Sequence, residues 1–168
     1  MDKGKSTQPS DFKGTQLTYS EQGCAVLIGD ACHPTLPYQA QGAAMAVEDG
    51  VILGQLLGAL NSSTADEEDC SRDLPQILRL FEKLRKARTT VTVQGATENQ
   101  TWYHLPDGSW QEKRDASLAT ADYKSHTEWS WTDGKYQSQL LGWDSIGESQ
   151  AAFSKWVSDK NQQSEVKI

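Results

Sequence analysis

No two of the 13 glycines in this 168-residue sequence are separated by a single residue. A G-x-G-x-x-G loop that cradles a nucleotide pyrophosphate is therefore excluded. Basic residues are in short supply: 16 Lys and Arg stand against 23 Asp and Glu, a net charge of -7. Nucleic acid is excluded as the main partner, because phosphate contacts need a basic footprint. The three cysteines, Cys24, Cys32 and Cys70, have no metal-ligand spacing, and no metal site is expected. Cys24 and Cys32 lie in or beside an apolar run and read as buried thiols. No apolar run reaches the ~20 residues of a membrane span. The nearest, residues 43–60, is interrupted by Glu48, Asp49 and Gln55. The first eleven residues, MDKGKSTQPSD, contain no apolar segment of the kind a secretory signal needs. With the odd cysteine count, a cytoplasmic location is expected. Hydrophobic residues make up 36% of the chain, enough for one modest core.

Three stretches follow one another. Residues 1–14 are polar and read as a flexible lead-in. Residues 15–101 hold the ordered elements. Residues 16–19, a turn at 20–23 and residues 24–28 predict a β-hairpin whose second strand, CAVLI, is covered on both faces. A proline-marked loop with Pro34 and Pro37 follows and ends at Gly42. Helical spacing then runs over residues 43–60, with Gly50, Gly54 and Gly58 on one face, as close backbone packing against a neighbour would require. Residues 61–73 read as an acidic surface loop. A second helix is expected from Asp73 as N-cap, with Pro75 in its first turn. Ile77, Leu80, Phe81, Leu84, Ala87 and Val91 give it an apolar stripe. Lys83, Arg85, Lys86 and Arg88 read as its solvated side. Residues 102–168 contain all six tryptophans but little else that is apolar. They are expected to be irregular, docked by tryptophan onto the two helices or onto a surface outside the chain. Residues 149–159 form a short amphipathic helix in this reading, and residues 160–168 fray. The fold class expected is α+β: a short hairpin, two main helices and a Trp-rich irregular segment.

The stretch Val26-Leu27-Ile28-Gly29-Asp30-Ala31-Cys32-His33-Pro34 carries most of the chemistry. A carboxylate at the end of a buried strand stands where ligands of α/β proteins gather. It can accept hydrogen bonds from sugar-type hydroxyls. About twelve residues later, Gln41-Gly42-Ala43-Ala44 opens a helix whose free N–H groups and positive dipole end favour negative charge. Gly42 allows a planar ligand close to the backbone. Asp30 and the helix start could thus bracket one polar ligand.

The ordered set Gly29, Asp30, His33, Pro34, Pro37, Ala40, Gln41, Gly42, Glu48 and Asp49 resembles the second flavin-binding motif of FAD-dependent aromatic hydroxylases, those similar to fungal salicylate hydroxylases in particular. The resemblance continues through the basic helix at 79–88, the YHLPDG segment at 103–108 and Arg114-Asp115, and covers residues 16–150. It implies FAD as cofactor, NAD(P)H as reductant and a small aromatic or polyketide-type substrate of secondary metabolism. It implies that Asp30 contacts the ribityl chain, and that the backbone at Gly42 and Ala43 meets the pyrimidine edge of the flavin. No catalytic residue is assigned by it. His33 is expected to shape the loop, Glu48 and Asp49 to pair within the fold, and Tyr38 is a weaker candidate for facing flavin or substrate. The chain resembles the C-terminal part of such a monooxygenase, without the Gly-rich unit. It is not expected to be a free-standing catalyst, and a homo-oligomer and a complementing chain are the two assemblies considered. The alternatives are a redox-neutral cyclase or isomerase derived from a flavoprotein, and a non-enzymatic remnant or partner subunit.

Overall fold

The computed structural model describes residues 25–64, 66–122, 124 and 126–165. The described residues are mainly helical: α1 (Gly42–Ser63), α2 (Glu67–Tyr103), α3 (Ser109–Ala119), α4 (Gly134–Leu141) and α5 (Ser145–Glu165). Short 3-10 turns stand at Gly29–Ala31, Pro37–Gln39 and Ser130–Thr132. The lead-in, the first strand of the expected hairpin and Cys24 lie outside the described residues. The second strand is corrected. Residues 25–28 form no strand; Val26 makes an isolated bridge, and Leu27 and Ile28 are 50% and 43% exposed. A strand needs a ladder along its edge and cover on its faces, and no strand among the described residues supplies them.

The core lies where α1, α2 and α5 meet. Ile52, Leu56 and Leu60 from α1 interlock with Ile77 and Phe81 from α2. Phe153 and Trp156 of α5 and Trp143 close the cluster. α1 runs from 42 to 63, slightly beyond the expected 43–60. Its last turn is closed by Thr64, whose N–H and hydroxyl both donate to the Leu60 carbonyl at 3.1 and 3.0 Å. By length and composition α1 could cross a membrane. Its Glu48 and Asp49 are nevertheless ion-paired to α2 (below), which marks it as a core helix. The packing expected at Gly50, Gly54 and Gly58 is absent. A Cβ on any of the three would meet nothing within 4 Å among the described residues.

α2 begins two turns before the expected start at Asp73. The side chain of Asp66 accepts the Asp69 N–H at 2.8 Å. Glu67, Glu68 and Asp69 then place negative charge at the positive end of the dipole. The acidic loop therefore shrinks to the link between α1 and α2. Pro75 sits inside the helix, where it removes a single N–H donor. Asp73 is buried and pairs with Lys160 of α5 instead of capping. The buried face of α2 is also rotated from the expected stripe. Ile77, Phe81, Arg85, Thr89, Thr92 and Ala96 are buried, whereas Val91 is 52% exposed.

The rotation follows from Arg85, expected in solvent but buried. Its Nε donates to Asp49 Oδ1 at 2.6 Å, one terminal nitrogen to Glu48 at 2.7 Å and the other to the Met45 carbonyl at 3.1 Å. Arg88 adds a second pair to Glu48 at 2.9 Å and donates to the Leu140 carbonyl. Glu48 and Asp49 pair within the fold as expected. The residues expected to be irregular beyond 102 are largely helical. α4 is capped by Asp133, which accepts from the Tyr136 N–H at 2.7 Å. α5 extends through residues expected to fray, because Phe153, Trp156 and Lys160 all engage α1 or α2. Two of the six tryptophans, Trp143 and Trp156, dock on the core; Trp129 is buried against Trp102, and Trp110 is 67% exposed.

Two outcomes are expected from this packing. Phe81→Ala and Arg85→Ala should each destabilise the chain by about 3–5 kcal/mol, the first through a cavity and the second by stranding a buried carboxylate. Val91→Ala should change stability by less than ~0.5 kcal/mol. Urea unfolding followed by circular dichroism checks the register; a costly Val91→Ala would restore the stripe expected from sequence. The second outcome concerns pH. Burial pushes the Asp49 carboxyl up, but hydrogen bonds from His33, the Gly29 N–H and Arg85, with the Arg85 charge, outweigh it and hold the group below its ordinary 3.8. Its stabilising contribution is complete above pH 3.8, declines below it, and is gone below the folded-state value. The stability gap between the native chain and Asp49→Asn should be constant from about pH 5 to 7 and should narrow only below about 3.8.

Candidate functional site

The polar-ligand site expected from sequence combines a turn and a helix start that are eleven residues apart. The turn is built on Gly29, which is buried with φ of +58°, a conformation that L side chains rarely adopt. The Gly29 carbonyl accepts from the N–H groups of Cys32 and His33, both at 3.0 Å. Its own N–H donates to Asp49 Oδ2 at 2.7 Å. Asp30, the next residue, is exposed.

A second turn, Pro37–Gln39, ends at Ala40 in the left-handed region with φ of 51° and delivers the chain to α1. Gln39 is buried beneath it and exchanges hydrogen bonds with the Tyr136 hydroxyl at 2.8 and 3.0 Å. Both groups press on Gly95 of α2, where any Cβ would collide with them. The Tyr38 carbonyl accepts from Asn99 Nδ2 at 3.1 Å. The loop from 37 to 41 is thus seated on α2, which fixes where α1 begins.

The two halves meet. A Cβ on Gly42 would stand 3.9 Å from Asp30 Oδ1 and 3.4 Å from Thr35 Cγ2. The first turn of α1 carries the N–H groups of Gly42, Ala43 and Ala44. The Gln41 side chain does not cap them, and no acidic side chain lies in that turn. The Asp30 carboxylate therefore stands beside the uncapped first turn of α1. A carboxylate accepts hydroxyl hydrogens, and a helix start stabilises negative charge. Asp30 and Gly42 are brought together, with Ala43 next to Gly42 in α1; Tyr38 goes elsewhere. Its hydroxyl meets His104 Nε2 at 2.9 Å and its ring tilts against Tyr103 at 5.8 Å.

His33 shapes the loop, as expected. It is buried, and its Nε2 lies 2.6 Å from Asp49 Oδ2. Cys32, the buried thiol expected, donates weakly to the Gly29 carbonyl; burial first, and the Asp49 charge second, push its pKa up to about 11. Cys32, His33 and Asp49 offer three ligand-type atoms within 4.8 Å of one another. Both Asp49 oxygens are already spent on Arg85, Gly29 and His33, so the group acts as an ion-pair network rather than as a metal cradle. The residue that sequence reasoning missed is Arg85. The available signal was its spacing: four residues after Phe81 and four before Thr89, it lies on the buried face of α2.

Residues 4–72 match the FAD binding domain family. The chain is 35% identical over 135 residues to an FAD-dependent monooxygenase of Beauveria bassiana, covering 80% of this chain and 30% of the relative. It is 37% identical over 107 residues to a 3-amino-4-hydroxybenzoate 2-monooxygenase of Streptomyces platensis, covering 64% and 24%. A salicylate hydroxylase of Pseudomonas putida is 32% identical over 133 residues, covering 74% and 28%. The chain spans 30% or less of the length of these curated relatives. The chain aligns with one part of these FAD-dependent and aromatic-ring monooxygenases.

Proposed function

We propose that this chain supplies the ribityl and pyrimidine-edge part of an FAD site in a cytoplasmic monooxygenase acting on an aromatic or polyketide-type small molecule. The observation that supports the reading is the meeting of the Asp30 carboxylate with the uncapped first turn of α1 at Gly42. Bound FAD, reduced by NAD(P)H, supplies the oxygen-activating chemistry. Asp30 accepts hydrogen bonds from ribityl hydroxyls. The N–H groups at Gly42 and Ala43 donate to the pyrimidine edge and stabilise negative charge there. Gly42 matters because a side chain at that position would stand against Thr35 and the Asp30 carboxylate. The adenine and pyrophosphate of FAD need donors of another kind, and the glycine spacing here excludes a Gly-rich loop. Those donors come from outside these 168 residues.

One carboxylate and one helix end are worth ~2–4 kcal/mol together, which is about millimolar affinity or weaker. Titration of the 15N-labelled chain with FAD should shift the Gly42 and Ala43 amides in that concentration range. Asp30→Ala should weaken the interaction by about 1–3 kcal/mol, the loss of a charge-assisted hydrogen bond. Equal shifts in both proteins would remove Asp30 from the site.

At micromolar FAD with NAD(P)H, the isolated chain should show no hydroxylated product from a panel of salicylate-like phenols. The reason is that an open, weakly held ring is not shielded from water. Product formed in step with NAD(P)H consumption would show that the chain assembles a complete site without a partner.

A further inference from the structure

We propose that Asp49 and His33 are positioning residues for this ligand site, locking the Gly29–Asp30 turn so that the Asp30 carboxylate is held against the first turn of α1. The proposal rests on the reading of Asp30 as a ligand contact. What carries it is how the two oxygens of Asp49 divide their partners. Oδ1 takes Arg85 Nε at 2.6 Å and so joins α1 to α2. Oδ2 takes nothing from α2; it takes the Gly29 N–H at 2.7 Å and His33 Nε2 at 2.6 Å. An aspartate that served only to pair the helices would need Arg85 alone.

Asp49 stands on α1 two turns in from Gly42, and side chains on a helix lean toward its N-terminus. Its carboxylate therefore reaches back under the turn that faces the site. Gly29 is gripped at both ends of its peptide units: Asp49 holds the N–H, and the Cys32 and His33 N–H groups hold the carbonyl. The left-handed backbone at Gly29 decides the direction in which the next residue, Asp30, leaves the turn. A buried N–H left without an acceptor is costly, so the turn is stable in this form only while its acceptor is present.

The same network orients the ring of His33. The Asp49 carboxylate accepts, so His33 Nε2 donates to it. His33 Nδ1 is buried without a hydrogen-bond partner among the described residues. It adjoins a cavity of about 10 Å³, lined also by Cys32, Arg85 and Thr89, room for about one water. Among the described residues the ring of His33 is hydrogen-bonded by Asp49, and His33 props the far side of the turn through its own backbone N–H to Gly29.

The test uses the full chain, 15N-labelled, with three variants: Asp49→Asn, His33→Leu and His33→Gln. Amide exchange is read at Gly29 and, as a control for the core, at Leu56. FAD shifts are read at Gly42. Asp49→Asn and His33→Leu should speed Gly29 exchange by about tenfold or more beyond any change at Leu56, and should weaken the FAD shift. His33→Gln, whose amide can still donate to Asp49 Oδ2, should recover most of both. The His33 variants keep the Arg85–Asp49 pair and decide the matter if Asp49→Asn does not fold. Native His33 should show a hydrogen on Nε2, donated to Asp49. Equal acceleration at Gly29 and Leu56, an unchanged Gly29 in a folded variant, or an Nε2 without a hydrogen would each overturn the proposal. Absence of any FAD shift in the native chain would instead defeat the reading of Asp30 as a ligand contact, while Gly29 exchange would still decide whether Asp49 and His33 hold the turn.

Discussion

The arrangement of this chain depends on one buried cation. Arg85 is 2% exposed, between α1 and α2, and meets Asp49, Glu48 and the Met45 carbonyl with three of its nitrogens. Desolvating a guanidinium and a carboxylate costs several kcal/mol each, and only good geometry with further hydrogen bonds offsets it. Here the geometry supplies both, since the planar fork has a partner at every nitrogen. The consequence is specificity as much as stability. α2 can rotate or slide on α1 only by stranding one of these charges, so the pair sets the register in which Ile77 and Phe81 meet Ile52 and Leu56.

From that register the rest follows. With Arg85 turned inward, the positions one and two turns later, Thr89 and Thr92, are buried as well. Their hydroxyls return to the carbonyls of Arg85 and Arg88 four residues back, which satisfies them inside an apolar environment. Gly95 and Asn99 come next on the same face and receive the loop from 37 to 41 through Gln39 and the Tyr38 carbonyl. Arg88 reaches the other way, to Glu48 and the end of α4, and with Arg85 covers Trp143 at 5.4 and 5.2 Å from its ring centre. One polar face of α2 thus holds the loop before α1 on one side and the C-terminal helices on the other. The exposed edge at Asp30 and Gly42 is what this frame presents.

The meeting of a turn with a helix start was legible in the residues themselves. The ordered motif from Gly29 to Asp49 predicts a turn, a loop and a helix start close together, and the described structure places Asp30 beside Gly42. The internal pairing of Glu48 and Asp49 and the structural role of His33 were also readable, because a carboxylate on a mostly apolar helix has to find a partner. α1 was visible for the ordinary reason that a long apolar run without proline forms a helix.

What only the tertiary structure decided has a common cause. Pattern reading scores each residue by its own polarity, so Arg85 was placed in solvent and the stripe of α2 was drawn through Val91. The carboxylate that brings Arg85 inside lies 36 residues away on another helix, and no local window contains it. The extent of α5 and the place of Asp73 within α2 depend in the same way on contacts such as Lys160 with Asp73. Residues 25–28 form no strand for the converse reason: their composition is that of a strand, but a strand exists only where a neighbour completes its ladder, and no strand among the described residues does so. By itself the sequence determined which chemical groups the chain carries and the local turns they favour. Which of those groups are buried, and against what, was settled by partners distant in the chain, because desolvation and pairing are properties of two surfaces together.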